Sequence, residues 1–135
     1  MVSQYLKKSY LVFDGAMGTY YVDKTNDEAA NCEMANITNP SVIEEIHREY
    51  INAGCGAIKT NTFGANLITA NGDIKLLKSI IKSGYEIAQK AAYDKNVFVF
   101  CDIGPIPQND NNDYDEYKTI VDIFLELGGS NFLFE

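Results

Sequence analysis

Four short runs of consecutive apolar residues constrain this chain more than any other feature. They are Tyr10–Phe13 (YLVF), segment 56–64 (GAIKTNTFG), segment 97–105 (VFVFCDIGP) and segment 131–135 (NFLFE). A strand with one wet face alternates apolar and polar residues. Runs of consecutive apolar residues instead belong to strands covered on both faces, as in parallel sheets flanked by helices. Helical spacing fills the intervals. Segment 36–54 carries Val42, Ile43, Ile46, Tyr50 and Ala53, with Asn39 placed to cap it, Pro40 in its first turn and Gly54 to stop it. Segment 73–93 repeats the pattern with Ile74, Leu77, Ile81, Tyr85, Ala88 and Ala92, and segment 114–127 with Tyr117, Ile120, Val121, Phe124 and Leu127. The expected fold is therefore α/β, with four parallel strands alternating with helices. A doubly wound open sheet and part of a (β/α)8 barrel both fit. The longest irregular stretches, 19–38 and 106–113, follow strand C-terminal ends, where both architectures bind ligands.

A chain of 135 residues suits one domain, 1–135, large enough to bury a core. Its net charge of −8 argues against nucleic acid or an anionic membrane as partner. No apolar run approaches the ~20 residues that span a bilayer, and the opening MVSQYLKKSY lacks the apolar core of a signal peptide. Three widely spaced cysteines, Cys32, Cys55 and Cys101, form no CxxC pair and read as reduced thiols of a cytoplasmic protein.

Each expected strand ends in polar residues: Asp14, then Thr60-Asn61-Thr62, then Asp102, then Glu135. Acids and amides on one rim suit a small polar molecule with an amino group, although strand ends that simply meet solvent are polar too. Gly15 and Gly18 allow tight turns in which backbone N–H groups approach a carboxylate. DGAMG is not GxGxxG, and no acid ends the second run, so a dinucleotide site is weakly supported. His47, flanked by charges in EEIHREY, reads as a helix-surface or packing residue. Cys55 reads as small and buried, Cys101 as the best-placed thiol, and no Cys or His near it completes a metal set.

In this order and spacing, FDGAMGT, NITNPSVIEEIHREYINAGCGAIKTNTFGAN, CDIGP and NFLFE resemble the N-terminal part of a homocysteine S-methyltransferase domain. The likeness is nearest to the homocysteine-binding module of cobalamin-dependent methionine synthases, and it runs from Leu11 to Glu135. The resemblance implies the N-terminal half of a (β/α)8 TIM barrel. It also implies a zinc ion held by cysteine thiolates, which keeps the homocysteine sulfur as thiolate for attack on an activated methyl group. The resemblance leaves methylcobalamin, a betaine and a sulfonium open as the methyl donor, methylcobalamin being the donor of the cobalamin-dependent relatives. By the same resemblance the turn Asp14, Gly15, Ala16, Met17 holds the amino acid's polar end. Its backbone N–H groups suit the carboxylate, Asp14 and Glu135 suit the ammonium, and Asn61, Thr62 and Phe63 line the same pocket.

The family's zinc cysteines belong to the second half of the barrel, and Cys32, Cys55 and Cys101 match none of their positions. A whole barrel needs roughly 250 residues. The expectation is thus a fragment or half-barrel, inactive alone, with no catalytic residue and no zinc of its own. Its open strand edges would pair with the remaining half or with a second copy. The competing readings are a non-catalytic half-barrel binding module and a small flavodoxin-like domain. Strand order separates the last: 1-2-3-4 for a barrel half, 2-1-3-4 for a flavodoxin-like sheet.

Overall fold

The computed structural model describes residues 1–28, 31–107 and 113–135. Its centre is a parallel sheet of three strands, β1 (Ala57–Lys59), β2 (Phe98–Ile103) and β3 (Phe132–Phe134), in the order β1-β2-β3. Ala57 pairs with Phe98 and Lys59 with Phe100, while Cys101 pairs with Phe132 and Ile103 with Phe134. The first expected strand is shorter than four residues of pairing. It is a single parallel bridge between Phe13 and Ala57, framed by Asp14 N–H donating to Ala57 O (2.9 Å) and Ala57 N–H donating to Val12 O (3.1 Å). With one neighbour only, and with Tyr10 and Val12 open to solvent, nothing extends that ladder. The segment nonetheless lies beside β1, so the order follows the chain and a 2-1-3-4 sheet is ruled out.

Six helices are seen among the described residues: α1 (Val2–Tyr5), α2 (Gly18–Thr25), α3 (Ala35–Thr38), α4 (Pro40–Asn52), α5 (Ile74–Ala92) and α6 (Asp113–Glu126). The last three match the helical spacing of the sequence. The expected irregular stretch 19–38 instead contains α2 and α3. It orders because Tyr21 and Ala35 bury against Ile43 and Ile46 of α4 and Ile87 of α5, and because Lys24 pairs with Glu45 and Glu49 on α4 at 3.0 and 2.8 Å. Of the polar loop 106–113, residues 108–112 lie outside the described residues. Asp73 caps α5, accepting from Lys75 and Leu76 N–H. Asn39 does not cap α4 in this way; its side chain donates instead to the Tyr21 hydroxyl, 3.2 Å away. No described helix is long and apolar enough to cross a membrane.

One face of the sheet carries the core. Leu77, Ile80, Ile81 and Tyr85 of α5 and Ile120, Ile123 and Phe124 of α6 pack on Cys101 and Ile103 of β2. Ile58 of β1 meets Ala88 and Ala92 of α5. Because strand side chains alternate, Phe100 and Asp102 project to the opposite, concave face. There the Phe13 and Phe100 rings sit 4.8 Å apart and Tyr5 of α1 meets Phe98 at 5.6 Å. Aromatic residues thus occupy the lower part of this face and polar ones its C-terminal end.

Gly84 on α5 lies close against Asn36 of α3 and Thr62 of the segment after β1. A Cβ there would lie 2.6 Å from Asn36 Nδ2 and 3.0 Å from Thr62 Cγ2. Asn36 Nδ2 donates to Asn61 O (2.8 Å) and Ile80 O (3.1 Å). Helix propensity favours alanine over glycine by about 1 kcal/mol, but this clash opposes it. Gly84→Ala is expected to lose about 1–3 kcal/mol in urea denaturation; a higher unfolding midpoint would contradict the packing described.

Candidate functional site

The C-terminal ends of the strands meet in a cleft of about 330 Å³, within the range that holds small molecules. All eight residues singled out for the site line it: Asp14, Gly15, Ala16, Met17, Asn61, Thr62, Phe63 and Glu135. Gly18, Cys32, Glu33, Lys59, Thr60 and Asp102 complete the wall.

The turn after the first run is held from below by Tyr50 of α4. The Tyr50 hydroxyl donates to Ala16 O at 2.8 Å, and a Cβ on Gly15 would lie 2.6 Å from that hydroxyl. Glycine is favoured here because a Cβ would displace the Tyr50 ring end, and not by an unusual backbone angle. Among the described residues, the N–H groups of Gly15, Ala16 and Met17 donate to no backbone carbonyl. They stand at the start of α2, where the helix dipole also favours negative charge.

The segment after β1 is locked into its neighbours. Thr62 Oγ1 donates to Asp102 O (2.7 Å), and Asp102 N–H donates to Thr60 Oγ1 (3.0 Å). With the Thr62 hydrogen so engaged, Thr60 supplies the donor in the 2.6 Å hydroxyl pair between them. Asn61 Nδ2 donates to Cys32 O (2.7 Å) and Asn36 Oδ1 (2.8 Å), and Cys32 Sγ donates to Asn61 Oδ1 (3.3 Å). Asn61 and Thr62 therefore shape the cleft with their polar groups already satisfied internally. Phe63 is 46% exposed at the mouth, its carbonyl accepting from Gly104 N–H.

The charges are unbalanced. Asp14, Glu33, Asp102 and Glu135 face a single cation, Lys59. Glu135 pairs with Lys59 Nζ at 2.7 Å, and Glu33 Oε1 accepts from Gly64 N–H at 2.8 Å. Asp14 Oδ2 accepts from Lys59 N–H at 3.1 Å, while its Oδ1 is buried without a partner. Burial raises the Asp14 carboxyl to about 6, opposed by that hydrogen bond and by the Lys59 charge. Burial, reinforced by the charge of Glu135, raises Asp102 to about 7, and its Oδ1 also lacks a partner. Half-neutralised carboxylates with idle oxygens suit a small cationic donor such as an ammonium.

Three sequence readings shift. His47 is fully buried beside Ile43 and Ile46 and lies outside the cleft, so it packs rather than lying on the helix surface. Both its ring nitrogens lack partners, and burial lowers its pKa to about 4. The spacing Ile43, Ile46, His47, Tyr50 already marked that face. Cys55 is half-buried, Cys101 faces the helices, and only Cys32 reaches the cleft. Burial pushes the Cys32 and Cys101 thiols up to about 12, and no cluster of three metal-ligating side chains occurs among the described residues. Lys59 carried a sequence signal as a charge within a covered strand, as did Asp102 in β2. Cys32 and Glu33 precede α3 in a stretch with no periodic signal.

The homocysteine S-methyltransferase family profile matches residues 11–127. The chain is 34% identical to methionine synthase of Mycobacterium tuberculosis and 33% identical to that of Mycobacterium leprae, each match covering 90% of this chain and 11% of the relative. It therefore spans about a tenth of the length of these curated relatives. The fold matches the metallated form of the homocysteine methyltransferase MmuM from Escherichia coli with a TM-score of 0.82 at 20% identity, over 99% of this chain and 56% of that one. For the oxidized form the score is 0.75 at 21% identity, over 94% and 53%. At these identities the structural match carries the fold alone.

The burial of Asp102 gives stability a definite pH dependence. Its folded pKa, about 7, stands above the ordinary value of 3.8. Its stabilising contribution is complete below about pH 4 and is lost as pH rises through about 7. Asp102→Asn is expected to raise stability at pH 8 on the order of 1–3 kcal/mol and to leave it nearly unchanged at pH 4. Urea midpoints at both pH values test this; a loss at pH 8 would refute the desolvation account.

Proposed function

The chain belongs to the homocysteine S-methyltransferase family, and on that premise we propose that its cleft holds homocysteine by the amino acid's polar end during methyl transfer to sulfur. The observation that carries this reading is the pairing of opposite demands in one cleft. Unengaged N–H groups at Gly15–Met17 suit the carboxylate, and the Asp14 carboxylate, one oxygen of which has no partner, suits the ammonium. A carboxylate between backbone donors at a helix start gains charge-assisted hydrogen bonds. The ammonium in turn offsets the desolvation that keeps Asp14 partly protonated. Gripping both groups fixes the Cα and directs the thiol-bearing arm away from the turn, which is positioning rather than chemistry.

The zinc that the family resemblance implies does not fit the residues present. Cys101 lies on the helix side of the sheet, the Cys32 thiol is engaged with Asn61, and no cluster of three metal ligands exists among the described residues. No step through a metal is therefore assigned to these side chains. In this reading the chain is the N-terminal half of a (β/α)8 barrel. Activation of the sulfur and delivery of the methyl group, from methylcobalamin by likeness to methionine synthases, belong to other parts of a complete enzyme. The apolar residues exposed at the sheet's two ends, Val12 at 62% and Phe134 at 60%, support covering of those edges by the remaining strands or by a second copy.

In a complete enzyme Asp14→Asn is expected to weaken homocysteine binding by about 1.5–3 kcal/mol, the worth of a hydrogen bond to a charged group. Titration calorimetry measures it, and unchanged affinity would reject the ammonium role of Asp14.

A further inference from the structure

Asp102 is a cleft carboxylate to which the resemblance assigns no part in the grip. It sits at the C-terminal end of β2, in register with Leu133 of β3, and is 4% exposed while lining the cleft. Its backbone is fixed on both sides, N–H to Thr60 and C=O from Thr62. Its side chain differs from those of the other three acids. Glu135 is tied to Lys59 Nζ, Glu33 to Gly64 N–H, and Asp14 to Lys59 N–H. The Asp102 carboxylate accepts a hydrogen bond from no described residue, and its Oδ1 is out of reach of water. Burying an acid without donors is costly, and an apolar side chain would fill the same space without that penalty. In the wall of a cleft, such an idle oxygen is placed to take its donor from a ligand.

We infer that Asp102 is a ligand-binding residue of this cleft, accepting a hydrogen bond from the ammonium of the bound amino acid together with Asp14. Glu135 then acts mainly through Lys59, which takes up its charge at 2.7 Å. The identity of the ligand rests on the function proposed above, whereas the role of Asp102 rests on its own placement. The charged groups that face it are Asp14, Glu33 and Glu135 on the negative side and Lys59 on the positive. An arriving ammonium meets an excess of negative charge, and Asp102 loses its proton as the ligand binds.

The test compares two ligands in the protein at its natural full length. L-homocysteine carries an ammonium; γ-mercaptobutyrate keeps the thiol and carboxylate and has none. Asp102→Asn is expected to weaken homocysteine binding about 10- to 100-fold, while γ-mercaptobutyrate stays within about twofold of wild type. Equal weakening of both ligands would assign Asp102 to cleft shape and overturn the inference. Unchanged homocysteine affinity in the variant would overturn it while leaving the homocysteine reading intact. A wild-type protein that binds no homocysteine would overturn both. If the variant fails to fold, the carboxyl carbon of Asp102 in wild type provides the readout by NMR. Its titration is expected to move down by about one pH unit or more with saturating homocysteine, and not with γ-mercaptobutyrate; no movement would overturn the inference.

Discussion

The hydrogen-bonded link between β1 and β2 at their C-terminal ends is the constraint on which the site depends. Thr60 and Thr62 clasp both backbone groups of Asp102, so the two strand ends cannot separate without exposing buried polar atoms. Because alternate residues face opposite ways, the same three-residue turn sends Asn61 toward Cys32 and Asn36. Asn36 in turn reaches Ile80 on α5. One short polar segment thereby ties the sheet, the loop before α3 and the longest helix together, and the cleft wall inherits its rigidity from that connection.

Against this fixed frame the cleft is electrostatically unfinished. Tyr50 secures the Asp14–Met17 turn, and Lys59 serves both Asp14 and Glu135. Yet Asp14 and Asp102 keep oxygens with no donor. Structural networks within the same protein, such as Thr60–Thr62–Asp102 backbone and Asn36–Asn61, leave no such gaps. Within the cleft wall, the contrast separates groups that hold the fold from groups left open to a ligand. Stability and binding therefore pull in opposite directions at Asp102, a common condition of sites that recognise charge.

Much of the fold was legible in the sequence because burial on both faces leaves a simple signature. The runs at 56–64, 97–105 and 131–135 became β1, β2 and β3, and the helical spacings became α4, α5 and α6. The first run was legible as position but not as pairing, since a ladder needs a neighbour along its whole length. The helices within 19–38 were not legible. Tyr21 and Ala35 are single anchors on short elements, and their order comes from α4 and α5 packed against them. For His47 the sequence left helix surface and packing both open, and burial beside Ile43 and Ile46 decided for packing.

By itself the sequence determined that covered parallel strands alternate with helices and that their C-terminal ends carry acids, amides and glycines. Those follow from local rules of periodicity and backbone freedom, which adjacent residues suffice to express. Only the tertiary structure decided which of these groups remain unpaired. Lys59 claims Glu135 across a sequence separation of 76 residues, Asn61 is consumed in holding a loop, and Asp102 is left buried without a donor. Desolvation and long-range pairing set those outcomes, and both depend on where the whole chain places its neighbours.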